Sequence, residues 1–220
     1  EKTLPRYIEE IYPDYALYNI SNTAYGYLTR GCPRRCKFCI VGLKEGIQSR
    51  EVAKLDSFWH GQKNIKLLDP NLLACPNKGY LLRQLIDSGA WVDFTQGLDV
   101  RLMDELTADY LNNIKIKSLH FAWDDISDTC TKTKLKKYSG LFKIYKGHKP
   151  SVYVLCNFDS SLKQDLQRIY TLRDMGYDPY VMIYDKINAP KHVRYLQRWV
   201  NNKKIFRTID KFENYNPKIA

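Results

Sequence analysis

The stretch Thr29-Arg30-Gly31-Cys32-Pro33-Arg34-Arg35-Cys36-Lys37-Phe38-Cys39 decides how the rest of the chain is read. It packs three of the six cysteines into eight positions, with the spacing Cys-x3-Cys-x2-Cys. A disulfide scaffold spreads its cysteines in pairs, whereas crowding of this kind in a reducing compartment points to metal ligation. Four cations, Arg30, Arg34, Arg35 and Lys37, surround the thiols and favour their thiolate form.

Two metals suit such a loop. Three thiolates at this spacing wrap one corner of a 4Fe-4S cubane and leave the fourth iron without a protein ligand, open to a small molecule. Zinc is the competing reading, with Cys75 or one of His60, His120, His148 and His192 closing a tetrahedron. Zinc sites usually show two paired knuckles, and the chain has no second Cys-x2-Cys pair, which favours iron-sulfur. Cys75, Cys130 and Cys156 lie far apart and read as free thiols, and the lone histidines read as ordinary surface or core residues. Cys156 is singled out because it follows an apolar run, at what becomes a barrel mouth, where a hydrogen donor or thiyl group would act.

Outward from the loop, short apolar runs alternate with longer amphipathic segments. The runs are Ala24–Leu28, Ile65–Leu68, Trp91–Thr95, Ser118–Ala122, Ser151–Leu155 and Tyr180–Ile183, each of strand length and bounded by turn residues. Between them, Leu81, Leu82, Leu85 and Ile86 form one helical face, and Leu102, Leu106, Tyr110 and Leu111 another. Leu162, Leu166, Ile169, Tyr170 and Leu172 form a third, and Val193–Val200 reads as a final helix. Alternation of this kind predicts an α/β fold of parallel strands, because the crossovers lay helices over the sheet. An open or partial barrel follows, with chemistry at the carboxyl ends of the strands. Those ends carry Asp69, Asn71, Gln96, Asp99, Arg101, Asp124, Asp125, Asn157, Tyr184 and Asp185. As a set they suit a cofactor pocket; taken singly, each also suits a turn or helix cap.

With Phe38 just before the last cysteine, the loop resembles the signature of the radical S-adenosylmethionine superfamily. The wider string, continued by Lys44-Glu45-Gly46, is similar to the branch whose members often carry a cobalamin-binding-type domain upstream. The likeness runs from about Tyr25 to Tyr184, specific in the loop and topological elsewhere. It implies a partial (β/α)6 TIM-like barrel, with a lead-in at 1–23, a core at 24–190 and a helix and tail at 191–220. It also implies a 4Fe-4S cluster on Cys32, Cys36 and Cys39, with S-adenosylmethionine on the open iron. One electron then cleaves the cofactor to a 5′-deoxyadenosyl radical, which takes hydrogen from an unidentified substrate. Methylation and RNA or small-molecule modification are the outcomes in view. A donor such as flavodoxin or ferredoxin is implied, and cobalamin through an upstream domain absent from this chain. Residue by residue, the likeness puts Phe38 in the signature loop and Asp69, Pro70 and Asn71 at the methionine amino group, without the common Gly-Gly-Glu. It assigns Gln96, Asp99, Arg101 and Asp124 to the ribose or carboxylate and Asn157 to the adenine.

Length and charge bound the alternatives. At 220 residues the chain is long enough for one full core and short for two large domains. Lys plus Arg number 35 against 24 acidic residues, a net charge of +11 that invites a polyanion. The densest runs, Lys132 to Lys137 and Lys203 to Arg207, are short, and no basic stripe with exposed aromatics stands out, which leaves nucleic acid weakly supported. A basic RNA-binding module with structural zinc is therefore the second reading. No apolar run spans a bilayer and no leader precedes the core, so a soluble, cytoplasmic protein is expected, and the start at Glu1 suggests a fragment.

Overall fold

The computed structural model describes residues 5–9 and 11–218; the outermost parts of the expected lead-in and tail lie outside that set. Six parallel strands stand side by side in chain order: β1 (Thr23–Gly26), β2 (Asn64–Leu67), β3 (Trp91–Phe94), β4 (Ile116–Ala122), β5 (Ser151–Cys156) and β6 (Asp178–Ile183). Helices fill the crossovers after β2: α1 (Lys78–Ser88), α2 (Glu105–Asn113), α3 (Thr129–Lys137) and α4 (Leu162–Asp174). Then α5 (Lys191–Asn201) and α6 (Lys203–Thr208) follow β6. This order and pairing are those of a partial (β/α)6 barrel core. The chain packs as two compact units, residues 1–120 with 141–148, and residues 121–140 with 149–220.

In the first unit, burial alternates along each strand. Ile65 and Leu67, Val92 and Phe94, and Leu119 are buried, while Lys66, Asp93 and His120 between or beside them are half-buried. Strand pairing sets Tyr25, Lys66, Asp93 and Ser118 level across β1 to β4. The register slips once, opposite Val92 and Asp93, so that Lys117 is the extra residue of a bulge. Its ammonium leaves the ladder to donate to Asn64 Oδ1 at 2.9 Å. That extra residue brings Leu119 level with Phe94 and keeps β4 in phase with β3.

All six expected runs are strands, with shifted ends. The first stops at Gly26 rather than Leu28, because the Leu28 and Thr29 amides turn to the Asp69 carboxylate instead of the ladder. Helix α2 differs more from the expected face. Asp104 accepts from the Thr107 N–H at 2.7 Å and caps the helix, so the helix starts at Glu105. Leu102 falls in a separate turn, Leu106 is 61% exposed, and the inward face is Thr107, Ala108 and Leu111.

In the second unit, α4 packs on β5 and β6 and α5 packs on β6. Ser161 opens α4 with a reciprocal capping box to Gln164. Val193, Leu196, Trp199 and Val200 form the buried stripe of α5, as the apolar spacing predicts. No helix among the described residues is long and apolar enough to cross a membrane.

Candidate functional site

The cysteine loop leaves β1 and is stitched at its base. Thr29–Arg30 pairs antiparallel with Arg50–Glu51. The Cys32 N–H donates to the Gly46 carbonyl at 3.1 Å, and Glu45 receives the Gly31 N–H and an Arg30 Nη, each at 3.2 Å. Gly31 has φ +86, and a Cβ there would stand 2.2 Å from the Gln48 carbonyl oxygen, so the loop can pass only as glycine. The Arg30 guanidinium stacks 3.6 Å over the Tyr27 ring.

Asp69 fixes the loop's entry from the end of β2. Its carboxylate accepts the Leu28 N–H at 3.1 Å, the Thr29 N–H at 2.6 Å and the Thr29 hydroxyl at 2.7 Å. The side chain is almost wholly buried, and desolvation lifts its pKa to about 6 against the pull of those donors. Asp69 is therefore occupied with the backbone of the loop. Asn71, two residues on, reaches the loop itself. Its Nδ2–H groups point to Cys32 Sγ and Asp99 Oδ2, each at 3.4 Å, and its carbonyl accepts from the Ser49 hydroxyl. Its Oδ1 is buried with no hydrogen-bond partner among the described residues.

Asp99, after β3, gathers the cations. Arg101 Nε donates to it at 2.7 Å and Arg34 Nε, from the cysteine loop, at 2.5 Å. Burial alone would raise this carboxyl, but the hydrogen bonds and charges of the two guanidiniums outweigh it and hold the pKa below the ordinary Asp value. Asp99, Arg101, Asn71, Arg34 and Cys32 are thus one connected group. Gln96 is exposed and lines a small cleft with Asp69 and Leu98. Pro70 and Phe38 are half-buried.

None of the three thiols is in a disulfide; Cys32 and Cys36 are half-buried and Cys39 is exposed. A Cys39 N–H to Cys36 carbonyl bond of 3.0 Å closes the turn between the last two. In kind the donor set fits a three-cysteine cluster: reduced sulfurs on one loop, cations beside them and an amide donor already on Cys32 Sγ. Among the described residues no group of three His, Cys, Asp or Glu side chains is placed to hold a metal ion, iron or zinc.

In the second unit the strand-end residues bond backbone. Asp124 Oδ1 accepts from the Leu155 N–H at 3.0 Å, and Asn157, at φ +65, donates to the Tyr184 carbonyl at 2.9 Å. Cys156, singled out for a barrel mouth, is instead fully buried in line with Val152 and Val154, and burial pushes its thiol far up. Sequence reasoning missed Arg168. Fully buried on α4, it donates to the carbonyls of Trp123, Asp124 and Leu155 and pairs with Asp165 at 2.6 Å. A charged pair three residues apart on the apolar face of an amphipathic helix was the available signal. The apolar–ionisable–apolar triplets Ile65-Lys66-Leu67, Val92-Asp93-Phe94 and Leu119-His120-Phe121 were missed likewise.

No protein-family model matches the chain, and no curated protein matches it by sequence. Solved structures do. Streptococcus suis SuiB bound to S-adenosylmethionine superposes with a TM-score of 0.58 at 12% identity, over 89% of this chain and 50% of that one. SuiB bound to precursor peptide SuiA gives 0.58 at 12%, over 89% and 48%, and a further structure of SuiB gives 0.57 at 12%, over 92% and 50%. Likeness at this identity is likeness of fold, and the chain spans about half the length of these proteins.

Proposed function

We propose that this chain is the core of a radical S-adenosylmethionine enzyme, with Cys32, Cys36 and Cys39 as the protein ligands of a 4Fe-4S cluster. The observation that carries the reading is the position of the three-cysteine loop. It directly follows the first strand of a parallel sheet whose fold matches SuiB with S-adenosylmethionine bound. Cys32, Cys36 and Cys39 would hold the cluster, which would supply the one-electron reducing chemistry needed to cleave S-adenosylmethionine and so start radical hydrogen abstraction from a substrate.

The chain's own residues bind and orient. Asp69 holds the loop's entry, and the Asn71 amide steadies the Cys32 thiolate by donating to its sulfur. Arg34 and Arg101, gathered by Asp99, supply positive charge for the cofactor's carboxylate. Gln96 is exposed to meet the ribose, Pro70 shapes the turn after β2, and Phe38 shields the cluster side of the loop. Asp124 and Asn157 act by setting the strand-end loops of the second unit. SuiB's precursor peptide makes a peptide the first substrate class to try. An acidic electron donor of the flavodoxin or ferredoxin kind suits the net charge of +11.

Anaerobic reconstitution with iron and sulfide, then dithionite and S-adenosylmethionine, tests the reading. A brown protein that releases 5′-deoxyadenosine is expected, and Cys36→Ala should lose both colour and cleavage. A colourless protein holding stoichiometric zinc and releasing none would overturn it.

A further inference from the structure

Lys66, Asp93 and His120 occupy neighbouring strands of the first unit. Lys66 and Asp93 are level with each other, and His120 lies two residues beyond Ser118, which is level with Asp93; all three therefore share one face of the sheet. Parallel strands covered on both sides ordinarily read as unbroken apolar runs. Here three adjacent strands each break the run with an ionisable residue, and each time on the same face.

The pairing among them is incomplete. Lys66 Nζ stands 3.7 Å from Asp93 Oδ2, a charge contact beyond hydrogen-bond length. Asp93 Oδ1 is buried with no hydrogen-bond partner among the described residues. An unmet buried acceptor opposes folding, and is tolerated where a ligand brings the donor. The group is within reach of solvent, with the Lys66 side chain 37% exposed and that of Asp93 17%. Its lysine and carboxylate charges cancel, which favours a neutral polar guest over an anion. Burial and the Lys66 charge lower the His120 pKa, Asp93 opposes them, and the net shift is downward, leaving the imidazole neutral at pH 7.

We infer that Lys66, Asp93 and His120 form a binding site for a neutral amide group. Asp93 Oδ1 accepts the amide N–H, Lys66 Nζ meets its carbonyl oxygen, and His120 lies beside them as hydrogen-bond and proton-transfer partner. That this amide belongs to a substrate rests on the proposed function, but the test needs neither iron nor S-adenosylmethionine.

The full chain is titrated with N-methylacetamide and, separately, with acetate, following the imidazole NMR signals. The signal lost in His120→Gln marks His120. The amide is expected to shift that signal saturably and acetate to leave it in place. Asp93→Asn should weaken the amide about tenfold, because the oxygen that accepts its N–H loses its charge. Should Asp93→Asn fail to fold, Lys66→Met is the second variant and should weaken the same titration. An unmoved His120 signal, a preference for acetate, or saturation unchanged in the folded variants overturns the inference. A chain that assembles the cluster and releases 5′-deoxyadenosine yet ignores the amide sinks this site alone; the reverse result sinks the proposed function alone.

Discussion

Asp69 carries a cost that pH can reveal. Its folded pKa of about 6 lies above the ordinary Asp value, so the folded state holds the proton more tightly than the unfolded one. From this group alone, stability is greatest below about pH 4, falls as pH rises through about 6, and stays low above that. The shift corresponds to a loss on the order of 3 kcal/mol at neutral pH. Asn at this position keeps the oxygen that receives Thr29 and has nothing to titrate. Urea unfolding of wild type and Asp69→Asn at about pH 4.5 and about pH 7.5 is therefore expected to show a fall in the wild type that the variant lacks. A parallel fall in both proteins would assign the pH dependence to other groups.

At the scale of elements, two pieces carry separate expectations. The cysteine loop is tied at its base by Asp69, Glu45 and Gly46, while Arg35 and Lys37 at its tip are exposed. Ligation of the proposed cluster by three cysteines would fix this exposed tip, so trypsin cleavage after Arg35 or Lys37 should slow on reconstitution of the wild type and stay fast in Cys39→Ala. Equal cleavage in both would place the cluster elsewhere. Helix α4 is anchored by Arg168, whose guanidinium serves three strand-end carbonyls and Asp165. Arg168→Met strands a buried carboxylate and is expected to cost about 3–5 kcal/mol in denaturant unfolding. The double change with Asp165→Leu should recover part of that loss, because the unpaired charge is gone.

Across the whole molecule, the net charge of +11 bears on the proposed electron donor. Reduction by an acidic flavodoxin should slow markedly between about 0.02 M and about 0.3 M salt, as screening shortens the range of attraction. Stopped-flow rates that ignore salt would mean that the dispersed charge steers nothing. Features that depend on neighbours along the chain were legible without coordinates: six apolar runs, their alternation with helical periodicity, and three cysteines at ligand spacing. Local sterics and short-range burial write those patterns directly. Where each strand-end polar group spends its hydrogen bonds depends on contacts between distant parts of the chain. Asp69 turns to Thr29, Asp124 to Leu155, Asn157 to Tyr184, and Asp99 joins Arg34 across 65 positions. Tertiary structure also placed Lys66, Asp93 and His120 side by side. A buried polar atom takes whatever partner the fold brings within about 3 Å, and chain spacing does not carry that distance.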